Sequence, residues 1–583
     1  MKKYLKFVKG SWIFTLLSPV FVFFDVYFEL QLPKVMGDII DTHIPQAAES
    51  GELDVLMKQI GIMLLYSFLM LLCGFLAARC TAIASLGFTA NMRCTLFNKI
   101  QDFSFENLDN FTESSLITRV VTDTNMIQTV FQMSLTYFVR APFTLAYALI
   151  RAIGVSKSLS KVFIVIIPAI IIVLTAMGVM VIPKFKAMLE KKDHLNKILQ
   201  ENLVGIRVVK AFVREDKERE KFNEANHWLY KATMSAQRIL MFNLPILMII
   251  MFICMILTLW NGSMTIYDSA GQALQIGKLN EFTSYISSVI SSLMTVTMIF
   301  MSMMMARASI KRVNEVLNAE PTFTDEGADK SLTVKDGSVE FKNVNFKYSK
   351  NAEKNVLDSI DLKINSGETV GIIGATGSAK STLVSLIPRL YDVVEGEVLV
   401  GGRNVKDYTF DNLRAGVSMV LQNNVLFSGT IKENLLWGNP DADDETIKEV
   451  CKIAQADEFI ENFTDGYDTE LGQGGVNVSG GQKQRICIAR ALLRSPKVLI
   501  FDDSMSAVDS ATDSKIRDGL ASYLPGTTKI IIAQRINSVS HADKIVVLDD
   551  GKINAVGTHE QLIESNEIYK EIYDSQQKGA LAQ

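Results

Sequence analysis

The chain has 583 residues, 48% of them hydrophobic, with 25 Met, only 12 Pro and a mean hydropathy of +0.21. That length leaves room for several domains, and that hydropathy fits a large membrane protein better than a soluble enzyme. A net charge of −4 and a pI near 5.9 supply no basic field for DNA or RNA, so nucleic acid is excluded as a partner. The six cysteines (Cys73, Cys80, Cys94, Cys254, Cys451 and Cys487) show neither metal-ligand spacing nor a disulfide framework, and they read as free thiols.

The opening MKKYLKFVKG places Lys2, Lys3, Lys6 and Lys9 before the first apolar run, and no small-residue cleavage site follows. An uncleaved, cytosolic N-terminus is expected. Residues 60–78, 162–182, 239–260 and 282–306 carry no charge, and at ~1.5 Å per residue each can cross a ~30 Å hydrocarbon core. Residues 12–32 and 133–150 are comparable but contain Asp25 and Glu29 in the one and Arg140 in the other. Six spans result, and an even number returns the C-terminal part to the cytosol. The loop after the first span is acidic, whereas the loop before residue 162 carries Lys157 and Lys161.

Between spans two and three, and again between four and five, lie polar, helical segments too long for ordinary bundle connections. They are expected to extend the membrane helices into the cytosol and to place short helices, within residues 103–124 and 201–215, on the surface of the C-terminal domain. Residues 1–315 therefore form a helical transmembrane domain and residues 316–336 a linker. From residue 337 to 583, β-branched runs alternate with helices, which predicts an α/β phosphate-binding domain. Its GATGSAKST run, from Gly374 to Thr382, is a glycine-rich loop whose N–H groups face phosphates at a helix N-terminus. Gly374, Thr376, Gly377, Ser378, Ala379 and Thr382 build that loop; Lys380 reaches the β- and γ-phosphates, and the Ser381 hydroxyl can ligate Mg²⁺. About a hundred residues later come VSGGQ (Val478 to Gln482) and the strand-like VLIFDD ending in Asp502 and Asp503.

The loop, VSGGQ and VLIFDD, in this order, resemble the ATP-binding cassette ATPases, and the whole chain resembles a half-transporter of the ABC exporter superfamily: six helices followed by one nucleotide-binding domain. The resemblance implies ATP and Mg²⁺ as cofactors. It implies that Tyr348 stacks on adenine, that Gln422 senses Mg²⁺ and the γ-phosphate, and that Asp502 ligates the metal. By the same resemblance Ser479, Gly480, Gly481 and Gln482 form the signature presented to a second ATPase domain, and SAVD, from Ser506 to Asp509, touches the opposite subunit. LGQGG, from Leu471 to Gly475, matches the segment before the signature, with Gln473 in place of the usual glutamate.

Three departures from the family pattern matter more. Asp503 stands where a glutamate is usual, Gln534 where a histidine is usual, and Ala379 where a glycine is usual. Hydrolysis needs a carboxylate within about 3 Å of the attacking water, and Asp503 withdraws the base by one methylene; a misplacement near 1 Å can cost ~10²-fold. Gln534 can hydrogen-bond a phosphate but cannot handle a proton as histidine does. Since these domains pair head to tail and the signature here is intact, the expected assembly is a heterodimer. This chain then owns the degenerate site, and its signature completes the competent site of a partner with intact glutamate and histidine, as in bacterial heterodimeric multidrug exporters.

Asp25 and Glu29 stand at i, i+4 inside a span, where acids are costly and functional by default. Either they attract cationic amphiphiles, or they form a structural pair with Arg140 or Arg151, or the helix is shifted outward so that both acids are wet. Met294, Met298, Met301, Met303, Met304 and Met305 give the last span an adaptable thioether surface, suited either to promiscuous binding or to helix packing. ATP-driven export of hydrophobic or amphipathic compounds from the cytoplasmic membrane is the function expected. Lipid, peptide and siderophore transport are alternatives, and an ATP-gated channel or membrane sensor is the alternative from another class.

Overall fold

The computed structural model describes residues 2–50, 53–349, 352–504 and 509–581. Each apolar run predicted above lies inside one long helix: α1 (Trp12–Asp38), α2 (Asp54–Gln101), α4 (Thr124–Val155), α5 (Val162–Val204), α7 (Glu215–Asp268) and α8 (Ile276–Asn318), with the short helices α3 (Phe105–Asn110) and α6 (Ile206–Ala211) between them. Among the described residues six helices are long and apolar enough to cross a membrane. α2 has 48 residues and α7 has 54. At ~1.5 Å per residue both outrun a ~30 Å core by more than a factor of two, so their polar halves continue beyond the bilayer.

The fold divides into two compact units, and the boundary does not follow the chain. Residues up to Gln101 together with Glu113–Asn318 form the first; Asp102–Thr112 and everything from Ala319 onward form the second. In the first unit α1 packs on α2, α4 on α8 and α5 on α7, around Leu30, Ala148, Phe163, Ile170, Phe282 and Tyr285. Polar ties hold these helices in register, since apolar lipid gives little drive for helices to associate. The Ser18 and Thr81 hydroxyls meet at 2.6 Å between α1 and α2. Beyond the end of α1, both Asp41 carboxylate oxygens accept the N–H groups that open α8, from Gly277 at 2.5 Å and Lys278 at 2.8 Å. Glu281, only 1% exposed, is neutralised by Lys278 at 3.0 Å and Arg151 at 3.5 Å and accepts from the Tyr285 hydroxyl at 3.0 Å. Asp123 receives two bonds from Arg312, at 2.7 and 2.5 Å. All six cysteines are free thiols.

The second unit holds two principal sheets. The antiparallel one has the order β2-β1-β4-β5, from β1 (Val339–Phe346), β2 (Leu357–Ile364), β4 (Glu395–Val400) and β5 (Arg403–Asn404). The other runs β12-β11-β3-β10-β9-β6, using β3 (Thr369–Ile373), β6 (Val417–Val420), β9 (Val498–Asp502), β10 (Thr528–Ile532), β11 (Lys544–Asp549) and β12 (Lys552–Gly557); a small pair joins β7 (Gly429–Thr430) to β8 (Glu470–Leu471). Strands β3, β10, β9 and β6 are parallel neighbours and nearly wholly buried, which is why they read as continuous apolar runs such as VLIF. Their carboxyl ends lie side by side, the place where open α/β sheets build ligand sites.

Candidate active site

Each of those four strand ends delivers one part of the site. After β3 the loop from Gly374 turns into α9 (Lys380–Ser385), whose first residue is the lysine. The Lys380 ammonium donates to the carbonyl oxygens of Gly374 at 2.9 Å and Ala375 at 2.8 Å. Gly377 adopts a φ of +87° with open space where a Cβ would stand, so ligand can approach the backbone closely there. β9 ends in Asp502, whose Oδ1 accepts from the Ser381 hydroxyl at 2.6 Å. Two of the three groups expected at Mg²⁺, Ser381 and Asp502, are thus adjacent, and a hydroxyl with a carboxylate is a hard-oxygen donor set suited to that ion. Gln422 follows β6 and Gln534 follows β10.

Burial pushes the Lys380 ammonium below its ordinary 10.5, opposed by the charges of Asp503 and Asp502. Burial likewise raises the Asp502 carboxyl above its ordinary 3.8; Asp503 adds to the rise, while the Ser381 hydrogen bond and Lys380 oppose it. A phosphate-bearing ligand with a divalent cation satisfies both groups, supplying anionic charge to the lysine and cationic charge to the aspartate.

The two substituted residues touch. Asp503 Oδ2 accepts from Gln534 Nε2 at 2.7 Å and from Gln422 Nε2 at 3.4 Å. The third substitution carries strain: Ala379 sits at φ +71°, the left-handed region that glycine enters freely and alanine does not. Tyr348 is half-exposed, and its hydroxyl lies 2.8 Å from Thr382 Oγ1, so the ring borders the phosphate loop. The signature opens α10 (Gly480–Leu492). Ser479 caps it, with Oγ accepting from Gln482 N at 3.3 Å and Gln482 Oε1 accepting from Ser479 N at 2.8 Å, and the exposed helix end offers N–H groups outward. Gln473 lies in a short turn before it. Of the SAVD run, Ser506 to Val508 fall outside the described residues.

Within the membrane unit Arg140 donates to both Asp25 and Glu29, the latter at 2.5 Å. Of the two basic residues weighed from the sequence it is therefore Arg140 that pairs, while Arg151 serves Glu281. Sequence reasoning missed an aromatic cluster on the same two helices: Phe23, Phe143, Tyr147, Tyr27, Phe28 and Phe24 form a closed circuit of ring contacts, with centroids 4.1 to 6.5 Å apart. The aromatic richness of VFVFFDVYF was the available signal.

Two family models match the chain, the ABC transporter transmembrane region over residues 15–294 and the ABC transporter domain over residues 357–506. The chain belongs to the ABC transporter family: a multi-pass membrane protein with a cytosolic nucleotide-binding domain that binds ATP and couples its hydrolysis to transport. It is 36% identical to the uncharacterized ABC transporter ATP-binding protein YfiB of Bacillus subtilis, covering 99% of this chain and 98% of that one. It is 34% identical, over 83% of each chain, to YgaD of the same organism, provisionally named a multidrug export ATP-binding/permease protein. In fold it matches a bacterial Atm1-family ABC exporter with ATP bound, at a TM-score of 0.80 and 23% identity over 98% of both chains.

Proposed function

We propose that this chain is the weakly hydrolysing half of a two-chain exporter that moves hydrophobic or amphipathic compounds out across the cytoplasmic membrane. The observation that carries this reading is the Asp503–Gln534 hydrogen bond of 2.7 Å. Both positions on which hydrolysis depends are substituted, and the substitutes satisfy each other, so the carboxylate oxygen that a general base needs is engaged by an amide. Binding is retained by separate groups: Lys380 and the loop amides for the phosphates, Ser381, Asp502 and Gln422 for Mg²⁺, and Tyr348 for the base. The capped, outward-facing signature helix supports a second subunit whose phosphate loop it completes, a half-transporter that keeps the glutamate and the histidine.

For the transported compound, the Arg140 triad retains one net negative charge beside a circuit of partly exposed aromatic rings. Acid and aromatic faces together favour organic cations. Copurification of the tagged chain from its native membrane, with mass spectrometry of what accompanies it, identifies the partner, and ATPase assays of the pair and of the chain alone test the asymmetry. The pair is expected to turn over and the lone chain to hydrolyse slowly. Vigorous hydrolysis by the lone chain, abolished by Asp503→Asn, overturns the reading.

A further inference from the structure

Two helices reach the loop that follows β10: α11 (Ser510–Tyr523) and α12 (Glu567–Leu581). β10 leaves the sheet at Ala533, whose N–H still donates to the Ile372 carbonyl at 3.3 Å. Beyond it the backbone is met by a side chain. Gln576 Nε2, on α12, donates to the Gln534 carbonyl at 2.8 Å, and Gln576 Oε1 accepts from the Ile536 N–H at 2.9 Å. One amide thus pairs with the C=O of one residue and the N–H of the residue two further on, as a peptide of a parallel strand would pair around Arg535. Gln576 extends the sheet by one rung at Gln534, the position where this family usually carries histidine.

The register of α12 explains how a glutamine comes to stand there. Tyr569, Ile572, Tyr573 and Gln576 follow one another at i, i+3, i+4 and i+7, a single face of the helix. Tyr569 is buried, and Ile572 and Tyr573 pack against the core that contains Ile536 and Val539. The fourth place on this stripe is polar, and a polar group turned toward a core is costly unless it is hydrogen-bonded. Half-buried Gln576 finds its partners in the Gln534 loop. Farther on, the loop is held independently: Arg517 of α11 donates to the carbonyls of Asn537 at 3.4 Å and Ser538 at 3.3 Å. Loss of the Gln576 contact therefore loosens the backbone at Gln534 without unmaking the turn that follows.

We infer that Gln576 is a positioning residue for the slow site: by fixing the Gln534 backbone it keeps the Gln534 amide on Asp503, so that α12 restrains hydrolysis from 42 residues along the chain. The Gln534 side chain reaches Asp503 Oδ2 at 2.7 Å from a main chain that Gln576 holds in place. Once that main chain is loose, the amide exchanges the carboxylate for water, and Asp503 Oδ2 is released from it to take the proton of the attacking water. This rests on the proposal that the Asp503–Gln534 bond slows the site.

The test measures phosphate release from radiolabelled Mg·ATP, and affinity for a fluorescent ATP analogue, on the full-length chain in nanodiscs. Gln576→Met keeps the length of the side chain and removes both hydrogen bonds. It should raise phosphate release about tenfold, the scale of one hydrogen bond to a carboxylate. Nucleotide affinity should stay within about twofold, because Lys380, Ser381 and Asp502 are untouched. Gln577→Met, at the exposed neighbour, should alter neither. In a Gln534→Ala background Gln576→Met should add nothing, since it acts through Gln534. The inference is overturned if Gln534→Ala raises release and Gln576→Met does not. It is overturned equally if Gln576→Met raises release as much in the Gln534→Ala background, or weakens nucleotide binding. If Gln534→Ala itself fails to raise release, it is the reading of the Asp503–Gln534 bond as the restraint that fails.

Discussion

In the proposed two-chain exporter Asp503 and Ser479 belong to different catalytic events, and single substitutions separate them. Asp503 serves this chain's own site, where its Oδ2 already accepts an amide, so Asp503→Asn should lower the steady-state ATPase of the assembled pair less than about twofold. In the proposed pair Ser479, at the exposed cap of the signature helix, donates toward the partner's γ-phosphate. Ser479→Ala should cost ~10² to 10³ in rate, as loss of a transition-state donor does. Equal effects of the two would remove the asymmetry. Ala379 offers a second residue-scale test. Its φ of +71° suits glycine, so Ala379→Gly should stabilise the nucleotide-binding unit by about 0.5 to 1 kcal/mol, the relief of left-handed strain less the entropy glycine adds to the unfolded chain. Gly377→Ala, at φ +87°, should move the urea midpoint the other way. The sequence exposes Asp503 and Ala379 as departures from contiguous motifs, and Ser479 and Gly377 as members of them, because motif spacing encodes backbone geometry. It could not expose the bond between Asp503 and Gln534, since 31 residues separate them and only the parallel pairing of β9 and β10 brings them together.

Helices were legible to the extent that their apolar runs are uninterrupted. The runs located all six spans, but not how far each helix continues, because beyond the bilayer the polar turns of α2, α5 and α7 carry no hydrophobic periodicity to mark an end. Nor could hydropathy reveal how α8 begins. A Cβ on Gly277 would lie 2.3 Å from the Gly37 carbonyl oxygen and 2.7 Å from Asp41 Cγ, so α1 and α8 approach backbone to backbone and leave the carboxylate just enough room to cap α8. Gly277→Ala must push these apart, and we expect a loss of about 1 to 3 kcal/mol, from overpacking together with the weakened cap. The thermal unfolding midpoint of the detergent-solubilised protein measures it. Gly10→Ala, where a Cβ meets nothing within 4 Å but φ is +93°, separates backbone strain from crowding and should cost less.

For the molecule as a whole, transport assays read what no single site can. Asp25→Asn and Glu29→Gln in the assembled pair should each reduce export of a cationic dye about tenfold or more while sparing a neutral one, because the substituted triad no longer carries net negative charge. Equal loss for both dyes would make the triad a purely structural tie of α1 to α4. A short helix within residues 103–124 was expected on the surface of the C-terminal domain, and α3 packs with it; which side chains meet there was not legible, since Tyr391 and Asp109 are 282 residues apart. That arrangement bears on how the protein can be taken apart. An ATPase domain cut free at residue 319 would leave Tyr391 without its acceptor and Thr322 without the Ser104 hydroxyl, and would expose rings that Phe105 now covers. Such a fragment lacks the short helix that the full chain supplies to it from between α2 and α4, and its unfolding midpoint should fall below that of the same domain in the whole protein.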